Sequence, residues 1–277
     1  MKPLRVLVVL LLFFAVPSQA EQQDFITLAS TTSTMASGLY DKILPKFSKR
    51  TGIDVHVVAV GTGQALRLAR NGDVDALLVH HPPSERAFVA DGYGLRRHRV
   101  MYNQFLIVGP EHDPAAAGTA SGLADVFRRV AQAKVPFISR GDNSGTHLVE
   151  MSLWRSAGVD PKIGSGIWYM ETGSGMGSTL RMSSVMKGYC LTDRGTWLSY
   201  RDRTGLRVLF DRPNTSLRNQ YSVIVVNPSR HTHIKANLAN RFVRWLTNEP
   251  GQRAINAVTM DGQRLFIPNA DKKIADE

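Results

Sequence analysis

The sequence predicts an α/β fold of sheets layered against helices. Three observations carry that prediction. Short apolar, β-branched runs recur along the chain, each bounded by turn residues. Stretches with apolar residues at helical spacing lie between them. Chain length and composition fit as well. A chain of 277 residues that is 43% hydrophobic and 21% charged can bury a sizeable core, as one large domain or two small lobes, and is not globally disordered.

Phe25 to Leu28 reads as a strand that runs into a Ser/Thr loop, Ser30 to Ser37. A helix follows, carrying Leu39, Ile43, Leu44 and Phe47. Val55 to Val60 is a β-branched apolar run, predicted as a buried strand. Gly61-Thr62-Gly63 then opens a helix with Ala65, Leu66, Leu68 and Ala69. Asp75 to Val79 is the next strand, and Pro82-Pro83 breaks the chain before a helix that Ser84 is expected to cap. Phe105 to Val108 is a strand closed by Gly109-Pro110. Leu123, Val126, Phe127 and Val130 form one helical face. Pro136 to Ser139 is a strand, Arg140 to Gly145 a polar loop, and Thr146 to Ser156 a helix with Leu148, Met151 and Trp154 inward. Beyond a Gly-rich stretch from Gly164 to Gly177 come a helix to Lys187, the strand Tyr189 to Leu191 and the strand Ser222 to Val226. Ile234, Leu238, Phe242 and Trp245 mark a final long helix, and the charged tail from Asp271 is expected to fray. The repeated strand–loop–helix order predicts largely parallel sheets.

Residues 1–20 stand apart from this pattern. Lys2 and Arg5 precede an unbroken apolar run from Val6 to Val16, and Ser18-Gln19-Ala20 has the small-residue spacing of a cleavage site. The segment is expected to be a secretory signal peptide cut after Ala20. Its apolar run is too short for a full span, so no stable membrane insertion is expected after cleavage. Cys190 is the only cysteine, which excludes an intrachain disulfide framework and a Cys-rich metal site. The formal charge of +11 suggests an anionic partner. Nucleic acid is not expected, because Arg67, Arg70, Arg96, Arg97, Arg128, Arg129, Arg201 and Arg203 are scattered and no aromatic-interleaved platform accompanies them.

Three strand-to-helix junctions concentrate hydroxyls and glycines: Thr31-Thr32-Ser33-Thr34, Gly61-Thr62-Gly63 and Arg140-Gly141-Asp142-Asn143-Ser144-Gly145-Thr146. Each places free backbone N–H groups at a helix N-terminus, where the dipole favours an anion. Each, taken alone, reads more readily as a set of caps and turns. Three on one basic chain favour a shared oxyanion pocket. Arg140 is the sharpest candidate, since a guanidinium presents a fixed charge and a forked donor pair; its alternative is a surface ion pair with Asp142.

Enzyme and metal patterns are weaker. Gly61-x-Gly63 lacks the third glycine of a dinucleotide fingerprint, Leu66 standing in its place, and no Walker A pattern exists. Ser144 with His147 could serve an exported serine hydrolase, but no third member is evident. His80-His81 and His231-x-His233 have no carboxylates at ligand spacing, and Met182 and Met186 read as core. Asp75, at the start of its strand, is expected to face solvent, and Asp142 to orient Arg140. No cofactor is expected.

Taken in order, TTST at Thr31, AVGTGQAL from Ala59, DALLVH from Asp75, MYNQFLIVGP from Met101, SRGDNSGTH from Ser139 and LTDRGT from Leu191 resemble the periplasmic tungstate-binding proteins of tungstate ABC transporters. SRGDNSGTH alone also resembles a loop of phosphate-binding proteins. The resemblance spans nearly the whole chain after the leader. It implies a type II periplasmic binding protein: two α/β lobes, each a mostly parallel sheet flanked by helices, with the ligand in the interlobe cleft. Lobe one would comprise residues 22–104 and 223–277 and lobe two residues 105–222, with Phe105 to Val108 and Tyr221 to Val226 as crossover segments. It implies a non-enzymatic periplasmic protein that captures tungstate, or alternatively molybdate, sulfate or phosphate, and hands it to an ABC permease. The implied ligand-binding residues are Thr31, Thr32, Ser33, Thr62, Gly63, Arg140, Ser144, Gly145 and Thr146. Thr31 and Thr32 remain alternatives for one contact. A pocket made only of donors would accept an unprotonated dianion and reject protonated phosphate.

Overall fold

The computed structural model describes residues 23–200, 205–212 and 214–270. The signal-peptide segment, the tail from Asp271, Arg201 and Arg203 lie outside them. The chain begins β1 (Asp24–Thr31), α1 (Thr32–Ala36), α2 (Leu39–Thr51), β2 (Ile53–Val60), α3 (Thr62–Asn71), β3 (Ala76–Val79), α4 (Pro82–Ala90) and β4 (Gly94–Pro110). It continues with α5 (Leu123–Ala133), β5 (Phe137–Ser139), α6 (Gly145–Ser156), β6 (Tyr169–Glu171), α7 (Met176–Met186), β7 (Cys190–Asp193), α8 (Arg194–Ser199) and β8 (Leu206–Phe210). The last elements are β9 (Arg218–Val226), α9 (Ala236–Thr247), α10 (Glu249–Asn256), the hairpin β10 (Thr259–Met260) and β11 (Gln263–Arg264), and β12 (Ile267–Pro268).

The expected α/β class is the one found, with a difference in strand direction. β1 pairs parallel with β2 and β3, and β5 pairs parallel with β6. The ladders β3–β9, β4–β9, β4–β12, β4–β7 and β4–β8 are antiparallel. The sheets are therefore mixed rather than mostly parallel. The cause is β4, a 17-residue strand that serves two neighbourhoods. Its first part, Gly94 to Gln104, pairs with β9, and its second part, from Phe105, pairs with β7 and β8. β9 lies in the first neighbourhood from Arg218 onward.

Three apolar clusters hold the layers. One packs Leu77, Val79, Phe88 and Ile224 beneath α3 and α4. A second stacks Phe127, Phe137, Trp154 and Tyr169 between α5 and α6, with Trp154 set edge-on to Phe127 at 4.5 Å and to Phe137 at 4.9 Å. The third and largest runs from Ile26 and Phe47 through Leu106 to Phe242 and Trp245.

Several local expectations change. The Ser30–Ser37 stretch is not an open loop; Thr31 caps a single helical turn by accepting from the Thr34 N–H. The run at Val55 is half-exposed, because β2 is an edge strand paired only with β1. Ser84 does not cap α4. His81 does, through its ring nitrogen, and Pro82-Pro83 sit inside the first turn where their missing N–H groups cost nothing. The inward face of α6 is rotated by about one residue, burying Glu150, Leu153 and Trp154 and leaving Leu148 and Met151 half-buried. Asp75 is buried, not solvent-facing, with its carboxylate accepting from the Thr27 and Lys235 N–H groups at 2.8 Å each. Among the described residues no helix is long and apolar enough to cross a membrane.

Candidate functional site

β1, β2 and β3 run parallel and end side by side, so the turns after Thr31, Val60 and Val79 gather at one edge. Ligands bind at such carboxyl edges because helix N-termini collect there. The α6 entrance meets the same edge. A side-chain carbon added at Gly63 would stand 3.8 Å from the Asn143 carbonyl oxygen. One added at Gly145 would stand 2.9 Å from His80 Cε1 and 3.1 Å from Thr62 Oγ1. A side chain at Gly145 would crowd His80, whereas one at Gly63 would make only ordinary contact. Thr62, Gly63, Ser144, Gly145 and Thr146 are thus brought together.

Thr62, at the first position of α3, is 1% exposed, and its hydroxyl has no hydrogen-bond partner. Thr146 is also 1% exposed, with its hydroxyl equally unpartnered. Arg140 is 4% exposed; its Nη2 donates to Asp142 Oδ2 at 2.5 Å, while its Nε is buried without a partner. The surface reading of Arg140 therefore fails. Asp142 orients it as expected and is itself occupied, since Oδ1 accepts from the Ser144 N–H at 3.1 Å. Burial acts to raise the Asp142 pKa, yet the bonds from Ser144 and the Arg140 charge hold it below the usual carboxylate range. Ser144 is the α6 N-cap and accepts from the His147 N–H.

The first junction behaves differently. Thr31 and Ser33 are buried, but Thr31 Oγ1 lies 2.7 Å from Thr34 Oγ1 and 3.2 Å from Ser33 Oγ, so these hydroxyls bond one another. Thr32 points outward and is exposed.

His80 is a site neighbour that sequence reasoning left without a role. It is 3% exposed, stacks on Tyr221 at 4.7 Å and bonds Asn219 Oδ1 through Nδ1 at 2.8 Å. Asn219 in turn donates to Asn103, which donates to Asp193. Burial pushes the His80 pKa down to about 4 against the pull of Asp193, so the ring is neutral near pH 7. Its signal was positional: a polar residue directly after the apolar strand Ala76–Val79, at the edge where the other two turns end. His231 and His233 each bond a backbone carbonyl, of Arg70 and Gly72, and no cluster of His, Cys, Asp or Glu among the described residues could hold a metal ion. Cys190 is buried and burial pushes its thiol up to about 12, which leaves it unreactive.

The His147 imidazole accepts from the Asn143 N–H rather than engaging the Ser144 hydroxyl. The site thus offers a buried guanidinium N–H and two unpartnered hydroxyls, beside the neutral acceptors of His80 and the Asn143 carbonyl. A buried orphan donor costs about 1–3 kcal/mol, which an anion would recover.

Comparisons with known proteins show the family. Residues 16–250 match the PBP superfamily domain. The tungstate-binding protein TupA of Peptoclostridium acidaminophilum is 44% identical over 258 residues, covering 92% of this chain and 89% of that protein. The solved tungstate-binding protein TupA from Desulfovibrio alaskensis G20 superposes with a TM-score of 0.78 at 42% identity, covering 90% of this chain and 100% of that one. The solved structure of the tungstate ABC transporter from Geobacter sulfurreducens gives a TM-score of 0.76 at 45% identity, covering 83% of this chain and 97% of that one.

Proposed function

We propose, from the premise that this chain belongs to the PBP superfamily and to the tungstate-binding protein family within it, that it captures tungstate outside the cytoplasm and delivers it to an ABC permease without chemical change. The observation that carries the reading is the trio of buried, unpartnered donors: Arg140 Nε, Thr62 Oγ1 and Thr146 Oγ1.

Each donor meets a need of a buried dianion. Arg140 supplies the fixed charge. Thr62 and Thr146 supply hydroxyls, and the first turns of α3 and α6, helices of 10 and 12 residues, supply oriented N–H groups. Gly63 and Gly145 let the ligand approach backbone. The ligand's oxygens, not its tungsten, take these bonds. In a water-poor site each bond is stronger than in solution. Ser144 and Thr31 act mainly by shaping their turns, and Ser33 and Thr32 contribute least.

We read the two lobes as residues 23–104 with 218–270, and the described residues between 105 and 217. Thr62 and Gly63 then stand on one lobe and Arg140, Ser144, Gly145 and Thr146 on the other, so closure completes the donor shell. A leader cut after Ala20 places the protein in the periplasm. Native mass spectrometry of the protein cut after Ala20, with equimolar tungstate, molybdate, sulfate and phosphate, tests the reading. One bound tungstate is expected; no retained oxyanion of any kind would remove it.

A further inference from the structure

His147 takes no part in the capture just described, yet it is built into the loop that performs it. The ring is 7% exposed. Its Nδ1 accepts the Asn143 N–H at 3.1 Å. An accepting Nδ1 carries a lone pair, so the ring proton of the neutral imidazole is on Nε2. That Nε2 is buried and has no hydrogen-bond partner; Glu171 Oε1, at 3.9 Å, is beyond bonding distance. The bond to Nδ1 closes a turn that bends the wrong way twice. Gly141 has φ 61° and Asn143 has φ 55°, the left-handed region. Gly141 can follow that path only as glycine, because a side-chain carbon would stand 2.6 Å from Glu171 Cβ. Between these two residues Asp142 bonds Arg140 and the Ser144 N–H. The Asn143 carbonyl faces Gly63 across the site.

We propose that His147 is a positioning residue: uncharged, with its proton on Nε2, it holds the Asn143 N–H and so fixes the 141–144 turn that aims Arg140 and the α6 entrance at the anion. The proposal rests on the oxyanion-capture reading. Protonation would place a hydrogen on Nδ1, turning the acceptor into a donor aimed at another donor. The Asn143 N–H would then lose its partner and the turn its tie to α6.

The charged groups around the ring come from three elements. Asp142 and Arg140 face it from the loop, Glu171 from the end of β6 and Lys162 from the turn after α6. Burial lowers the His147 pKa from the ordinary histidine value, with the two acids pulling it back. The uncharged ring thus prevails at neutral pH, and the latch opens only in acid. A bound dianion would by simple attraction favour the charged ring. Charge alone therefore predicts tighter capture in acid, and the latch predicts weaker capture.

The test is calorimetric titration with micromolar tungstate at two pH values, on wild type, His147→Asn and His147→Leu, with a melting curve for each. Asparagine keeps an acceptor near the Nδ1 position but cannot titrate, and leucine keeps neither property. For wild type, affinity should fall by up to about tenfold between about pH 7.5 and about pH 5.5, the limit set by the uncharged fraction of an ordinary or depressed histidine. His147→Asn should bind more tightly than His147→Leu and show no such slope. Nitrogen NMR of the wild-type ring should report the Nε2–H tautomer, a readout that stands even if the leucine variant fails to fold. Wild-type affinity that rises in acid, affinity that stays flat while the nitrogen signals show the ring protonated, or a slope that persists in His147→Asn, overturns the latch while leaving tungstate capture intact. A wild type that binds no tungstate at either pH overturns both.

Discussion

The turn at Thr31–Thr34 and the turn at Gly61–Gly63 look alike in sequence: each follows a parallel strand and places hydroxyls at a helix start. Their hydrogen bonding is opposite. Thr31, Ser33 and Thr34 bond one another and cap a five-residue helix. Thr62 keeps its hydroxyl buried and unspent at the head of a ten-residue helix. On the proposed reading, stability and function divide between two similar turns. Hydroxyls that satisfy each other stabilise the apo fold, whereas those left unsatisfied are available to a ligand. The α6 entrance, with Thr146 and Arg140, belongs to the second kind.

The sharpest way to break this division is Arg140→Ala, which removes the one fixed positive charge among the unspent donors and should weaken tungstate binding by about 3–5 kcal/mol. Arg140→Lys keeps the charge and loses the fork, at about 1.5–3 kcal/mol. Wild-type affinity in the alanine variant, measured by calorimetry, would show that Arg140 is outside the shell. Gly145→Ala comes next. Its methyl would stand 2.9 Å from His80 Cε1 and 3.1 Å from Thr62 Oγ1, so crowding of about 1–3 kcal/mol should appear in binding as the entrance is pushed away from Thr62.

Thr62→Val sharpens the comparison, because the two properties should move apart. Affinity should fall by about 1.5–3 kcal/mol, while the apo melting temperature holds or rises as a buried orphan hydroxyl is removed. Thr31→Val should do the reverse. It loses a cap worth about 1 kcal/mol of stability and changes affinity less than Thr62→Val does. Thr32→Ala, at an exposed position, should change stability by less than about 0.5 kcal/mol. If Thr31→Val proved the more damaging to binding, the assignment of roles to the two turns would be reversed.

Much of this was readable in the sequence, for physical reasons that differ by element. The helices around Leu39, Leu123 and Phe242 follow from spacing alone, since their buried residues recur on one face. The junctions were readable because hydroxyls and glycines cluster where helices start. Which hydroxyls are spent was not, because Thr31 and Thr62 differ only in their three-dimensional partners. β4 was visible only in its apolar part, Phe105 to Val108; its Arg- and His-bearing first part pairs with β9, a partner more than a hundred residues away. Glu150 was missed because a carboxyl on an inward helical face breaks the apolar pattern. It is held there by Trp154 Nε1 and Tyr169 OH, and burial pushes its pKa up to about 8. Asp75 was misplaced because its partners, Thr27 and Lys235, come from opposite ends of the chain.

The central claim is that neither Asp142 nor Asp75 is free to take a ligand's proton. Asp142 is consumed by Arg140 and Ser144, and Asp75 by two backbone N–H groups, so neither is left to accept a ligand's proton. Tungstate offers only acceptors, whereas phosphate near neutral pH carries a proton that would meet only neutral acceptors in place of a carboxylate, a loss of roughly 1–3 kcal/mol. Calorimetric titration of the wild-type protein with tungstate and with phosphate, from neutral to mildly alkaline pH, tests this directly. The account predicts tungstate binding that is flat across that range and phosphate binding more than about tenfold weaker. Phosphate that binds within tenfold of tungstate, or gains affinity as its protonated fraction rises, would contradict it.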